Sequence, residues 1–110
     1  MAGAELDLVQ GTLDLIILKA LMWGPSHGYA VVRWVRDITA DDLQIEEGAL
    51  YTALHRMEKR KWLQADWGLS ENNRKAKFYS LTPAGRKQLR VESQRWTSYA
   101  RAVSKIIAAT

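Results

Sequence analysis

From Leu6 to Met22 apolar residues recur in two overlapping stripes. Leu13, Ile16, Ile17, Ala20 and Leu21 form one, and Leu8, Leu15, Leu18 and Met22 form the other. Spacings of three and four predict a helix, and a helix apolar nearly all round is buried on more than one side. "WGPSHGY" breaks the pattern at Gly24 and Pro25, leaving Ser26 to cap a second helix from about His27 to Ile38, with Val31, Val35 and Ile38 facing inward. "TADDLQ" reads as turn and loop, with a short extended piece at Leu43 to Ile45. A third helix, Glu46 to Trp62, turns Leu50, Ala53, Leu54 and Met57 inward.

Past Trp62 the period shortens. "LQADWGL" and "KFYSLT" read as two strands, joined through "SENNRKA", whose Asn and Ser residues favour turns. Thr82 then caps a last helix with Pro83 in its first position, and that helix can run to the C-terminus. The expected fold is mainly α with a small β-hairpin: a winged helix-turn-helix over residues 1–82 and a long C-terminal helix over 83–110, built as one compact unit.

Composition narrows the class. At 110 residues the chain has the size of a single domain that folds without much margin, so self-association would help it. Sixteen Lys and Arg against twelve Asp and Glu give +4, which favours an anionic partner only weakly. Without cysteine there is no disulfide framework and no thiolate metal site, which fits the reducing cytoplasm. The longest apolar run, "LDLIILKALMW", is interrupted by Asp14 and Lys19 and falls short of the ~20 residues a bilayer span needs. No basic segment precedes it and no small-residue cleavage site follows, so neither a signal peptide nor a membrane partner is expected.

Enzyme chemistry finds no support. His27 and His55 are the only histidines, no Gly-rich phosphate loop is present, and no nucleophile has an evident base; neither cofactor nor metal is implied. The order helix, helix, helix, hairpin instead fits a fold whose third helix enters the DNA major groove while the wing reaches the backbone or minor groove. Tyr51, His55 and Lys59 lie at i, i+4 and i+8, with Thr52 and Arg56 alongside, so all can project together. A merely solvated basic helix would look the same in isolation. The wing shifts the balance, because Arg74, Lys75 and Lys77 sit beside Asn72 and Asn73 where phosphate contacts are needed. Glu46 and Glu47 suit the positive end of the third helix's macrodipole better than they suit DNA.

The last helix carries a second pattern. Leu89, Glu92, Trp96, Tyr99, Val103 and Ile106 follow the spacing of a coiled-coil seam, with Glu92 as its flaw. A dimer seam accounts for this better than packing on the chain's own domain, and Leu8 and Leu15 of the first helix would join it. Four of five tryptophans, Trp23, Trp34, Trp62 and Trp67, are expected to fill core or interface space. Trp96 lies on the seam, where two symmetry-related indoles could frame a pocket for a small apolar effector, though interface packing outweighs that reading.

The segments "LDLIILKAL", "GPSHGYAV", "EEGALYTALHRMEKRKWL" and "WGLSENNRKAKFYSLTPAGRKQL" together resemble the PadR family of transcriptional regulators, of the short type with one C-terminal helix. The resemblance runs from about Leu6 to the end, and its most specific parts are "EEGALY" and "SENNRKAKFYSLT". It implies a dimeric cytoplasmic winged-helix DNA-binding protein, usually a repressor, whose C-terminal helix pairs with the partner subunit. It places Tyr51 and its neighbours on the operator, supported by Ser26, His27 and Tyr29 at the start of the second helix, with Arg74 and Lys75 in the wing. Two departures bear on contacts rather than fold: the family often has Ser where Ala49 stands and Pro where Thr52 stands.

The expected function is therefore sequence-specific regulation by a homodimer on double-stranded DNA, as a repressor on a near-palindromic operator, with release by an effector. The rival is a winged-helix interaction module that docks an acidic protein. A protein-docking version would not need basic residues on the third helix and the wing at once.

Overall fold

The structure, a computed structural model, describes residues 11–110. Helix α1 (Leu13–Ala20) is shorter than the periodicity predicts. Gly11 sits in a left-handed turn at φ +88°, which sets the start, and Leu21 to Trp23 form a turn that ends it. Residues 6–10 of the expected helix, including Leu8, lie outside the described residues. Ile17 and Leu18 are fully buried, while Leu15 stays half-exposed on another side.

Strand β1 (Ser26–His27) and helix α2 (Gly28–Ile38) follow. The cap of α2 is His27, not Ser26: His27 Nδ1 accepts from the Ala30 amide at 3.2 Å. Ser26 is one residue too early, held in the sheet opposite Tyr79. Val31 and Val35 are buried as their spacing predicts, but Ile38 is 64% exposed, because the helix runs past the edge of the core before it ends. Thr39 closes that end, donating its hydroxyl to Val35 O at 2.7 Å and accepting from the Leu43 amide at 3.1 Å.

Helix α3 (Glu47–Lys59) starts from Glu46, which lacks a side-chain cap bond; Glu47 in the first turn suits the helix dipole. Leu50, Ala53, Leu54 and Met57 are all buried, so its inner face is wholly apolar. Strands β2 (Leu63–Leu69) and β3 (Lys75–Leu81) pair antiparallel from Leu63↔Leu81 to Leu69↔Lys75. β1 adds to the other edge of β3, so the predicted hairpin is part of a three-stranded sheet ordered β1-β3-β2. At the wing tip the Ser70 amide donates to Arg74 O at 2.9 Å and the Asn73 amide to Ser70 O at 2.8 Å. Asn73 takes φ +59°, a conformation Asn tolerates better than most residues.

The pleat explains what the wing buries. Leu63, Ala65, Leu81 and Tyr79 share the face over the core. That face continues outward as Trp67 and Leu69, which are 64% and 65% exposed because no second layer lies beneath them. Trp23 is likewise 64% exposed, its ring 5.5 Å from that of Trp34. Of the four tryptophans expected in core or interface space, Trp34 and Trp62 pack against the core, while Trp23 and Trp67 are exposed on the subunit surface.

Helix α4 (Pro83–Ala108) opens as predicted: Thr82 Oγ1 accepts from the Gly85 amide at 3.0 Å and donates to Lys61 O at 2.6 Å. Gly85 has no substitute here, since a Cβ would overlap the carbonyl oxygen of Trp62. Leu89 is the last buried residue of α4 and belongs to the chain's own core, so this end of the proposed seam is spent inside the subunit. Beyond it α4 continues for some 28 Å, at ~1.5 Å per residue, without a fully buried side chain.

Candidate nucleic-acid interface

The outer face of α3 is defined by what its inner face buries. With Leu50, Leu54 and Met57 fixed in the core, Tyr51, Thr52, His55 and Lys59 must project outward, and all four are exposed. Together with Arg56 and Arg60 they line one open depression of about 680 Å3. A second groove of about 450 Å3 runs between the start of α2, α3 and the wing. His27, Tyr29, Tyr51, His55, Lys75 and Lys77 all line it. Tyr51 and His55 border both, so the two surfaces form one continuous face.

The local chemistry distinguishes these groups. Tyr51 lies against Gly28, where a Cβ would come within 2.8 Å of its Cε1 and hydroxyl. His27 is structural on one side, capping α2 through Nδ1, and on the other its Nε2 lies 3.9 Å from Glu71 of the wing. Glu71 also accepts from Arg33 at 3.2 Å, and that bond holds its carboxyl below the usual range. Tyr29 is half-exposed beneath the Arg33 guanidinium.

Two of the candidate cations are already engaged. Arg56 donates to both oxygens of Asp14 on α1, at 2.8 and 2.7 Å, and this pairing raises its pKa. Lys77 donates to Glu58 at 3.2 Å, and its pKa is raised by that bond. Lys59 and Arg74 have no ion pair among the described residues, and Lys75 sits 5.2 Å over the exposed ring of Trp67. Asn73 and Arg74 lie at the wing tip beyond the groove, and Ser26 is half-buried in the sheet away from it.

Gly28, Trp67, Asp14 and Glu58 were not singled out from the sequence as parts of this face. Glu58 shares a helix with the candidates, but the partners of Asp14 and Gly28 lie far along the chain. The exposure of Trp67 could have been read from the polar tip that follows it.

Along α4, Trp96, Tyr99 and Ile106 are exposed and Val103 is half-buried. Glu92 is not an unsatisfied flaw, since it accepts from Gln88 at 2.7 Å and lies 3.6 Å from Arg95. Leu15 and Trp96 border two adjacent clefts there, one of about 370 Å3 running between α1, α2 and α4. Among the described residues no group of His, Asp and Glu converges as a metal site would, and no helix is long and apolar enough to cross a membrane.

Three helices, a wing and an exposed polar and basic third-helix face define a winged-helix DNA-binding protein. The chain matches the profile of the transcriptional regulator PadR-like family over residues 17–91 and belongs to that family. A transcriptional regulator from Clostridium thermocellum is 30% identical, with a TM-score of 0.79 over 87% of this chain and 90% of that one. A PadR-like transcriptional regulator from Bacillus cereus is 25% identical, with a TM-score of 0.78 over 92% of this chain and 96% of that one. An uncharacterized protein of Lysinibacillus sphaericus is 30% identical over 90 residues, 82% of this chain and 83% of its own.

Proposed function

We propose that the protein is a cytoplasmic homodimeric repressor that reads a near-palindromic operator with the outer face of α3 and steadies itself on phosphate with the wing. The observation that carries this is the meeting of Tyr51, His55 and the wing's Lys75 at one groove. A polar column on a reading helix can address base edges, and cations beside it address the backbone. Thr52, Lys59 and Arg74 extend the same face. Dimerisation would use Leu15, Trp96, Tyr99, Val103 and Ile106, placing two reading faces on successive half-sites. An apolar effector held near Trp96 would release DNA only by favouring a different separation of those faces. Footprinting on the DNA upstream of its own gene tests the operator. Protection of two related half-sites about a helical turn apart is the expected result.

A second reading, a module docking an acidic protein, draws on the exposed apolar pair Trp67 and Leu69 on the wing. Salt-dependent retention on duplex DNA separates the two, since that module has no reason to bind a random duplex with a steep salt slope.

A further inference from the structure

The cations around the reading face are of two kinds. Lys59 and Arg74 are exposed and without a carboxylate partner among the described residues. Arg56 and Lys77 border the same face, yet each is held by an acid behind it. The hold on Arg56 is a fork: both guanidinium ends meet both oxygens of Asp14, whose side chain is only 22% exposed. Such paired, charge-assisted bonds are the strong kind, and a phosphate competing for Arg56 must break two at once. Asp14 belongs to α1, fixed by Ile17 and Leu18 in the core, so it cannot follow the arginine outward.

We propose that Asp14 and Glu58 set the protein's affinity for non-specific DNA by withholding Arg56 and Lys77 from the phosphate backbone. Every phosphate contact strengthens binding to any duplex alike and carries no sequence information. Neutralising two cations beside the reading face leaves discrimination to Tyr51, Thr52 and His55. Asp14 also ties α3 to α1, so it is a positioning residue for the reading helix. The inference rests on the DNA-binding reading above.

The test uses the full chain on a random-sequence duplex, following the dependence of the binding constant on salt. Asp14→Asn should steepen the log–log slope by about one unit, because freed Arg56 now displaces a counterion. Arg56→Gln alone should leave the slope unchanged, and the double variant should return to it. This pattern separates withholding from net charge, which would make Arg56→Gln as shallow as Asp14→Asn is steep. Glu58→Gln, Lys77→Gln and their combination should repeat the pattern. That pair is about a third exposed on each side, so this arm decides the matter if Asp14→Asn does not fold. A slope unmoved by Asp14→Asn and Glu58→Gln, or made shallower by Arg56→Gln, overturns the proposal. Wild-type protein with no salt-dependent duplex binding would instead remove the DNA-binding reading and this inference with it.

Discussion

The ring of Tyr51 rests on the bare Cα of Gly28, so close that a methyl group on Gly28 would stand 2.8 Å from the phenol oxygen. The contact joins the first residue of α2 to the outer face of α3 and orients a side chain that is 42% exposed. Gly28→Ala should therefore turn Tyr51 out of its place without opening the core. Binding to the operator should fall about as far as with Tyr51→Ala, and more than binding to random duplex. In a Tyr51→Ala background the same Gly28→Ala change should have little further effect, as coupled residues require. The thermal midpoint should move little in each case, because the displaced atoms lie at the surface. Undiminished operator binding by Gly28→Ala would show that this orientation is not used.

How much of this was legible beforehand depended on whether the signal was local. Thr82 and Pro83 announce α4 because cap and first position are adjacent in sequence, and the structure has both. "LQADWGL" is strand β2 residue for residue, since alternation over the core and turn formers beyond it are both near at hand. Leu50, Ala53, Leu54 and Met57 follow from period alone. What was missed depends on distant partners. Nothing around Arg56 indicates that Asp14, 42 residues earlier, will hold it, nor does the "KAK" run reveal Glu58 behind Lys77. Ser26 is a better cap than His27 by preference, but pairing with β3 shifted the helix start by one residue. Trp67, expected in core or interface space, is not in the core, because the wing extends past the layer that could cover it.

The wing tip offers a direct measure of phosphate contact. Arg74 and Lys75 are exposed, and neither has an ion pair among the described residues. Replacing both by alanine should weaken binding to specific and random DNA about equally. The salt slope should become shallower by about one or two units, one for each phosphate lost. Unchanged affinity and slope on both DNAs would mean that the tip stands clear of the backbone.

Alkaline pH should destabilise the fold through Tyr79 and Lys77. Burial raises the phenol pKa of Tyr79 above its usual value of 10.0, and the bond to Glu58 raises that of Lys77. Both groups bind protons more tightly folded than unfolded. The stability they lend is whole below the unfolded values and is lost as pH rises through the folded ones. Unfolding midpoints should begin to fall above about pH 10, where unfolded Tyr and Lys start to ionise. Tyr79→Phe should remove its share of that fall. An identical profile in the variant would assign the loss to Lys77 alone or to other groups.

The C-terminal arm gives the sharpest test of assembly. Leu89 is buried within the subunit, whereas Trp96, Tyr99 and Ile106 are exposed at the same helical spacing and Val103 is half-buried. A lone subunit gains little by keeping these apolar groups in water, and a second copy of the seam would cover them. Sedimentation at micromolar concentration should thus show a species of twice 12.5 kDa. Val103→Glu should reduce it to the monomer, since an unpaired carboxylate buried between the helices costs more than the contact returns. Ser104→Glu, on an exposed neighbouring position, should leave the dimer intact. Leu89→Ala should act differently, lowering the stability of each subunit by about 2–5 kcal/mol through a core cavity. A monomer in the wild-type protein would sink the seam, and with it the two-half-site operator.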